Sequence, residues 1–193
     1  MRRRLLGCLM LAASAGAATA SEGEGRGPWG VTAFGGVLLD NTFDEVLFQP
    51  HRIDTESGQL LGIAGSARLA EPLHGLELGA EVQVVRHLGA QDHWEINAPL
   101  TARWTRFPWQ ETVATGAAFG LGLSAASETP DLEVENEGAS RPVMAYWMVE
   151  LSAGPPGGAW EVVGRLHHRS TAFGLFGEDG GANALVLGLR HRF

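Results

Sequence analysis

Two side chains in the C-terminal quarter of the sequence are of the types that carry out acyl transfer. His168 and Ser170 stand in the segment Arg165-Leu166-His167-His168-Arg169-Ser170-Thr171-Ala172-Phe173-Gly174. On a β-strand, side chains two residues apart share a face, with about 7 Å between their α-carbons, so the imidazole can reach the hydroxyl. An imidazole so placed acts as the base that activates a weak nucleophile. Such a pair requires a third group to hold the imidazole tautomer. In a hairpin turning through 171–182, Asn183 falls on the same face, pairing near Ser170 and diagonal to His168. Glu178 and Asp179, in the intervening loop, are the alternative third member, although their type equally suits a solvated loop. Backbone N–H groups at 172–174 follow the serine and are the candidate oxyanion donors. His-x-Ser is a common tripeptide, and the competing reading is that both residues are ordinary rim residues.

The elements that must position these groups are strands. Leu76, Leu78, Ala80, Val82 and Val84 alternate with Glu77, Gly79, Glu81, Gln83 and His87, and the two following segments repeat the pattern. Eight such segments occur, at roughly 28–39, 58–70, 75–88, 93–106, 111–126, 142–154, 159–170 and 182–193. They are longer than the usual globular strand and suit a tilted bilayer crossing. Connections at 70–75, 106–110 and 154–158 read as short turns, whereas 40–57, 87–93, 127–141 and 171–181 read as longer, polar loops. The acidic 127–141 segment is the most highly charged of them. Short turns at one end and long loops at the other predict an all-β fold, an eight-stranded antiparallel transmembrane β-barrel of the outer-membrane type. The face opposite the apolar one is rich in Gly, Ala and ionisable groups, which suits a narrow polar lumen. Glu77, Glu81, Glu95, Arg103 and Arg165 are expected to pair there, since charges buried in a narrow barrel must be compensated. A soluble lipocalin-type barrel is the alternative, but it would bury its apolar face inward.

Composition agrees with this reading. The 193 residues include 27 glycines, 45% hydrophobic and only 19% charged residues, and mean hydropathy is close to zero at −0.01. Apolar content without apolar runs after the N-terminus excludes helical membrane spans and disfavours disorder. A net charge of −8 argues against nucleic acid as a partner. Residues 1–20, with Arg2, Arg3 and Arg4, an apolar stretch and Ala18-Thr19-Ala20, read as a secretory signal peptide, leaving 21–193 as the barrel domain. Its removal takes Cys8, the one cysteine, and shifts the charge to −11, so the mature chain has no disulfide framework. Trp29, Trp94, Trp104, Trp109, Trp147 and Trp160 mostly fall near strand ends, where interfacial aromatic girdles belong. The final segment places Leu185, Leu187, Leu189, His191 and Phe193 on one face, similar to the C-terminal strand that addresses bacterial barrels to the outer-membrane assembly machinery.

Here the sequence resembles a known family. His168-Arg169-Ser170-Thr171-Ala172, a Gly-containing loop, Gly180-Gly181-Ala182-Asn183 and a last strand ending in Arg192-Phe193 are similar to the C-terminal region of the PagL-type lipid A 3-O-deacylases. The resemblance implies an eight-stranded bacterial outer-membrane barrel that removes an ester-linked acyl chain from the lipid A of lipopolysaccharide. It also implies Ser170 as nucleophile, His168 as general base and then acid, and Asn183 at the position of the family's orienting glutamate. Two residues depart from the family pattern: Asn183 replaces a carboxylate, and Thr171 replaces an Asn that follows the serine. No cofactor is implied, and no metal either, since His51, His74, His87, His93, His167 and His191 show no metal-ligand spacing along the chain. Phe173, Leu175 and Phe176 are candidates for acyl-chain contact or for anchoring a loop at the interface. Two rival readings are a non-catalytic structural or adhesive barrel working through its acidic 127–141 loop, and an outer-membrane phospholipase.

Overall fold

The computed structural model describes residues 27–41, 43–177 and 180–193. Segment 1–20, expected to be a signal peptide, and the loop acids Glu178 and Asp179 lie outside the described residues. Eight strands form: β1 (Trp29–Leu39), β2 (Thr55–Leu73), β3 (Leu76–Gly89), β4 (Trp94–Trp104), β5 (Ala114–Ala126), β6 (Val143–Gly154), β7 (Trp160–Ser170) and β8 (Gly181–Arg192). Each pairs antiparallel with its sequence neighbour, and β1 closes on β8 from Gly30↔Arg192 to Leu39↔Asn183. All eight expected segments are strands, with two differences in the connections. The 105–113 turn is longer than expected, and β3 and β4 are joined by only 90–93, because both strands continue their ladder almost to the turn.

The alternation decides which face is which. Val31, Ile63, Val82, Ile96, Leu121, Val162 and Leu187 all point outward and are exposed, a continuous apolar band that only hydrocarbon can cover favourably. Among the described residues no helix is long and apolar enough to span a membrane. A closed barrel needs none, because every backbone group finds its partner on a neighbouring strand. Trp29, Trp104, Trp109 and Trp160 gather at the short-turn end, and Trp94 stands at the other.

Inside, the expected charge network forms around a residue not anticipated in it. The Glu150 carboxylate accepts hydrogen bonds from Arg103 at 3.3 Å, Arg165 at 2.7 Å and Arg190 at 2.6 and 2.8 Å. Glu161 accepts from Arg103 at 3.0 Å, and Glu81 pairs with Arg165 at 3.0 Å. Glu77 joins through Arg192. Glu95 departs from expectation, since it lies nearer the long-loop end and pairs with His87 and His167 instead of an arginine, each at 3.0 Å.

The upper lumen is not uniformly polar either. Phe34, Leu38, Leu60, Ala64, Val85, Ala184 and Val186 form an apolar cluster there, and Leu132 packs against it. Leu132 belongs to a short helix, α2 (Asp131–Glu137), within the acidic loop. Its Glu133 is buried and accepts two hydrogen bonds of 2.8 Å from Arg169. Burial pushes the Glu133 carboxyl upward while Arg169 and Ser140 oppose the shift. The most acidic loop therefore folds back over the lumen mouth. Its apolar Leu132 and the inward cation Arg169 outweigh the pull of solvent on its remaining acids.

Candidate active site on the outer wall

In β7, Glu161, Arg165, His167 and Arg169 are all buried in the lumen, so the alternate residues Trp160, Val162, Leu166, His168 and Ser170 lie on the outer wall. The β7–β8 register sets His168 directly opposite Asn183 and Ser170 opposite Gly181. This corrects the diagonal placement of Asn183 expected from the sequence: the hairpin loop is two residues shorter on the β8 side, so Asn183 keeps its face and stands directly opposite the imidazole.

The contact is specific. His168 Nδ1 meets Asn183 Oδ1 at 2.6 Å, and Asn183 Nδ2 donates to the carbonyl of Asn41 at 2.8 Å. The second bond fixes the first, because an amide nitrogen facing a carbonyl leaves only its oxygen for the imidazole. Nδ1 must then carry the proton, and Nε2 is the basic nitrogen of the ring. Trp147, the residue paired with His168 across β6, lies against the imidazole with ring centroids 4.3 Å apart. The ring is thus held from both neighbouring strands.

Just after Ser170 the backbone turns sharply. Ala172 and Phe173 adopt left-handed conformations with φ of 50° and 57°, followed by Gly174 at 92°. Non-glycine residues enter this region at a cost of roughly 1–3 kcal/mol, and such strain concentrates where geometry matters more than stability. Ala172 N–H points to Ser170 Oγ at 3.4 Å. The N–H groups of Leu175, Phe176 and Gly177 turn to the carbonyls of Ala172, Thr171 and Gly174. The loop displays Phe173 and Leu175 fully to the surroundings, whereas Phe176 is half-buried.

The segment after β1 completes the site, which the sequence alone did not suggest. It contains α1 (Phe43–Phe48), and Val46 packs on Leu39 and Leu166, flanked by Val37, Ile53 and Trp147. Leu166 is therefore only 6% exposed although it points outward. A cavity of about 420 Å³ opens between this segment, the start of β8 and α2, and His168, Ser170 and Asn183 contribute to its walls. The chain order Phe-Asp-Glu-Val-Leu-Phe carried a weak helical signal. Nothing in the sequence pointed to the Asn41 carbonyl, since backbone groups carry no residue-type signature.

No protein-family model and no curated protein matches the chain. Among solved structures, Omp33, an outer-membrane protein of Acinetobacter baumannii, aligns over 87% of this chain and 99% of its own at 14% identity, with a TM-score of only 0.23. The crystal structure of the outer-membrane enzyme PagL aligns over 85% of this chain and 99% of its own, at 15% identity and a TM-score of 0.62. The chain therefore shares the eight-stranded closed-barrel fold of the outer-membrane enzyme PagL.

Proposed function

We propose that this barrel is a serine-type carboxylic ester hydrolase of the bacterial outer membrane that removes an ester-linked acyl chain from lipid A. The observation that supports the reading is the anchored His168–Asn183 pair: Asn183, whose amide donates to the Asn41 carbonyl, meets His168 Nδ1 on the outer wall, two residues along β7 from Ser170. A part-buried polar pair on a surface that otherwise faces lipid is costly, and such pairs persist in membranes where they serve function. The position also suits a substrate that never leaves the leaflet.

In this mechanism Ser170 Oγ attacks the ester carbonyl carbon and its proton passes to His168 Nε2. The tetrahedral oxyanion is met by backbone N–H groups of the 172–174 turn that follows Ser170. Collapse breaks the bond to the sugar oxygen, which takes the proton from His168 and departs as a hydroxyl. Water then attacks the acyl-serine and gives a proton to His168 Nε2; collapse breaks the bond to Ser170 Oγ, which takes that proton back as the fatty acid leaves. Asn183 holds the tautomer throughout but adds no charge, so the imidazolium is stabilised less than a carboxylate would allow. Phe173, Leu175 and Phe176 would lie along the departing acyl chain. Export through segment 1–20 and insertion by the barrel-assembly machinery belong to the same reading.

The test is mass spectrometry of lipid A from cells expressing wild type or Ser170→Ala. Loss of one acyl chain with wild type only is expected. Intact lipid A alongside assembled wild-type barrel would overturn the assignment, and acyl loss from phospholipid instead would identify the rival ester hydrolase.

A further inference from the structure

A second cluster of chemically competent side chains sits inside the mouth of the barrel, on the opposite face of the wall from His168. The inner face of β3 ends at His87 and the inner face of β4 begins at His93 and Glu95, and the 90–93 connection folds these onto one patch. His87 N–H donates to the His93 carbonyl at 2.9 Å, extending the ladder by one rung beyond Arg86↔Trp94. Strand pairing thus assembles a set that spacing along the chain did not suggest.

We propose that His87, His93 and Glu95 bind a divalent transition-metal ion of the zinc class at the long-loop mouth of the lumen. One ligand atom from each lies within 4.8 Å of the others, and all three residues are at most 3% exposed. Zinc–nitrogen and zinc–oxygen bonds of about 2.0–2.2 Å place tetrahedral ligands roughly 3.4 Å apart. The set therefore needs to draw together by about an ångström. The His87 and His93 rings stack at 4.3 Å with only 12° between their planes, which keeps the two imidazoles together at the mouth.

Unpartnered buried groups point independently to a missing ligand. Among the described residues, His87 Nδ1 has no hydrogen-bond partner and neither does either amide atom of Gln91, although Gln91 is only 3% exposed and sits in the connection itself. Native proteins rarely leave such groups unsatisfied. The surroundings are also those of a ligand shell. Glu95 offers Oε2 toward His87 while its other oxygen holds His167 Nε2 at 3.0 Å. His167 Nδ1 meets the Tyr146 hydroxyl at 3.3 Å, and that hydroxyl accepts from Gln83 at 3.0 Å. Outer contacts of this kind orient ligands in metal sites. The nearby cations do not oppose an ion strongly, because Arg169 is paired with Glu133 and Arg86 with Asp92. Gln91 and Glu133 also line the cavity beside α2.

This site is independent of the ester-hydrolase reading, since His87, His93 and Glu95 lie in the lumen and the proposed nucleophile lies on the outer wall. The barrel, refolded in detergent, stripped with chelator and then equilibrated with zinc chloride, should retain one ion per chain after desalting, measured by elemental analysis. His87→Ala and His93→Ala should each weaken zinc affinity by at least about tenfold, while His74→Ala, on an exposed turn, should leave it unchanged. Heat-modifiable gel mobility verifies that each variant has folded. Cobalt chloride titrated into wild type should give saturable visible bands of a low-coordinate site, a readout that needs no variant. Absence of saturable zinc and cobalt binding by folded wild type, or undiminished binding in both histidine variants, would overturn the proposal.

Discussion

β7 presents the same kinds of residue to two different worlds. Arg165, His167 and Arg169 point inward, each at most 3% exposed and each engaged with at least one carboxylate from another element. One residue out of phase, His168 and Ser170 point outward, where the imidazole has Asn183 on one side and Trp147 on the other. Inside, polar groups compensate one another in a shared network, and losing one member strands several charges. Outside, His168 and Ser170 line a cavity on the wall away from the buried ion pairs, so truncating Ser170 strands no charge. The interior is built for persistence, and the outer wall keeps a polar arrangement that the fold does not need.

Experiments that sharpen this contrast differ in what they break. Ser170→Ala is expected to have the largest effect, a fall of about a thousandfold or more in acyl-ester hydrolysis with unaltered heat-modifiable mobility. Activity retained by that variant would remove Ser170 from the chemistry. Glu150→Ala should do the reverse. It leaves Arg103, Arg165 and Arg190 without their common carboxylate, and a stability loss of about 3–5 kcal/mol is expected in urea unfolding from lipid vesicles. An unchanged midpoint would mean that water, not Glu150, compensates those arginines.

Asn183→Ala should slow hydrolysis about tenfold, the effect of one positioned hydrogen bond of roughly 1.5 kcal/mol. Asn183→Glu should retain or raise the rate by adding charge beside the imidazole. A neutral Asn183→Ala combined with inactive Glu178→Ala or Asp179→Ala would move the orienting role into the loop. The smallest effect is expected from Val46→Ala, which trims the contact of α1 with Leu39 and Leu166. Loosening the segment that carries Asn41 should lower the rate a few-fold, with a stability change of about 1 kcal/mol. Equal losses in Val46→Ala and Asn183→Ala would show that α1 does more than hold the amide.

Much of this arrangement was legible beforehand because strand periodicity is a local property. Glu81, Arg103 and Arg165 could be assigned to the lumen, and His168, Ser170 and Asn183 to one outer face, from alternation alone. The resemblance of the last thirty residues added their proposed roles. Glu150, Glu161 and Arg190 were equally visible by parity, yet nothing along the chain marks Glu150 as the carboxylate on which three arginines converge. That depends on strands β4, β6, β7 and β8 meeting across a closed lumen.

Residue type and two-residue alternation therefore determined the strands, the faces and the closed membrane barrel, since a side chain's face follows from its parity and apolar faces must seek lipid. Tertiary structure alone decided the register that sets Asn183 opposite His168, the folding of α1 and α2 against wall and mouth, and the meeting of His87, His93 and Glu95. These depend on how far each turn advances the next strand and on which loop surfaces find apolar cover. Neither quantity is encoded in the local pattern of any one segment.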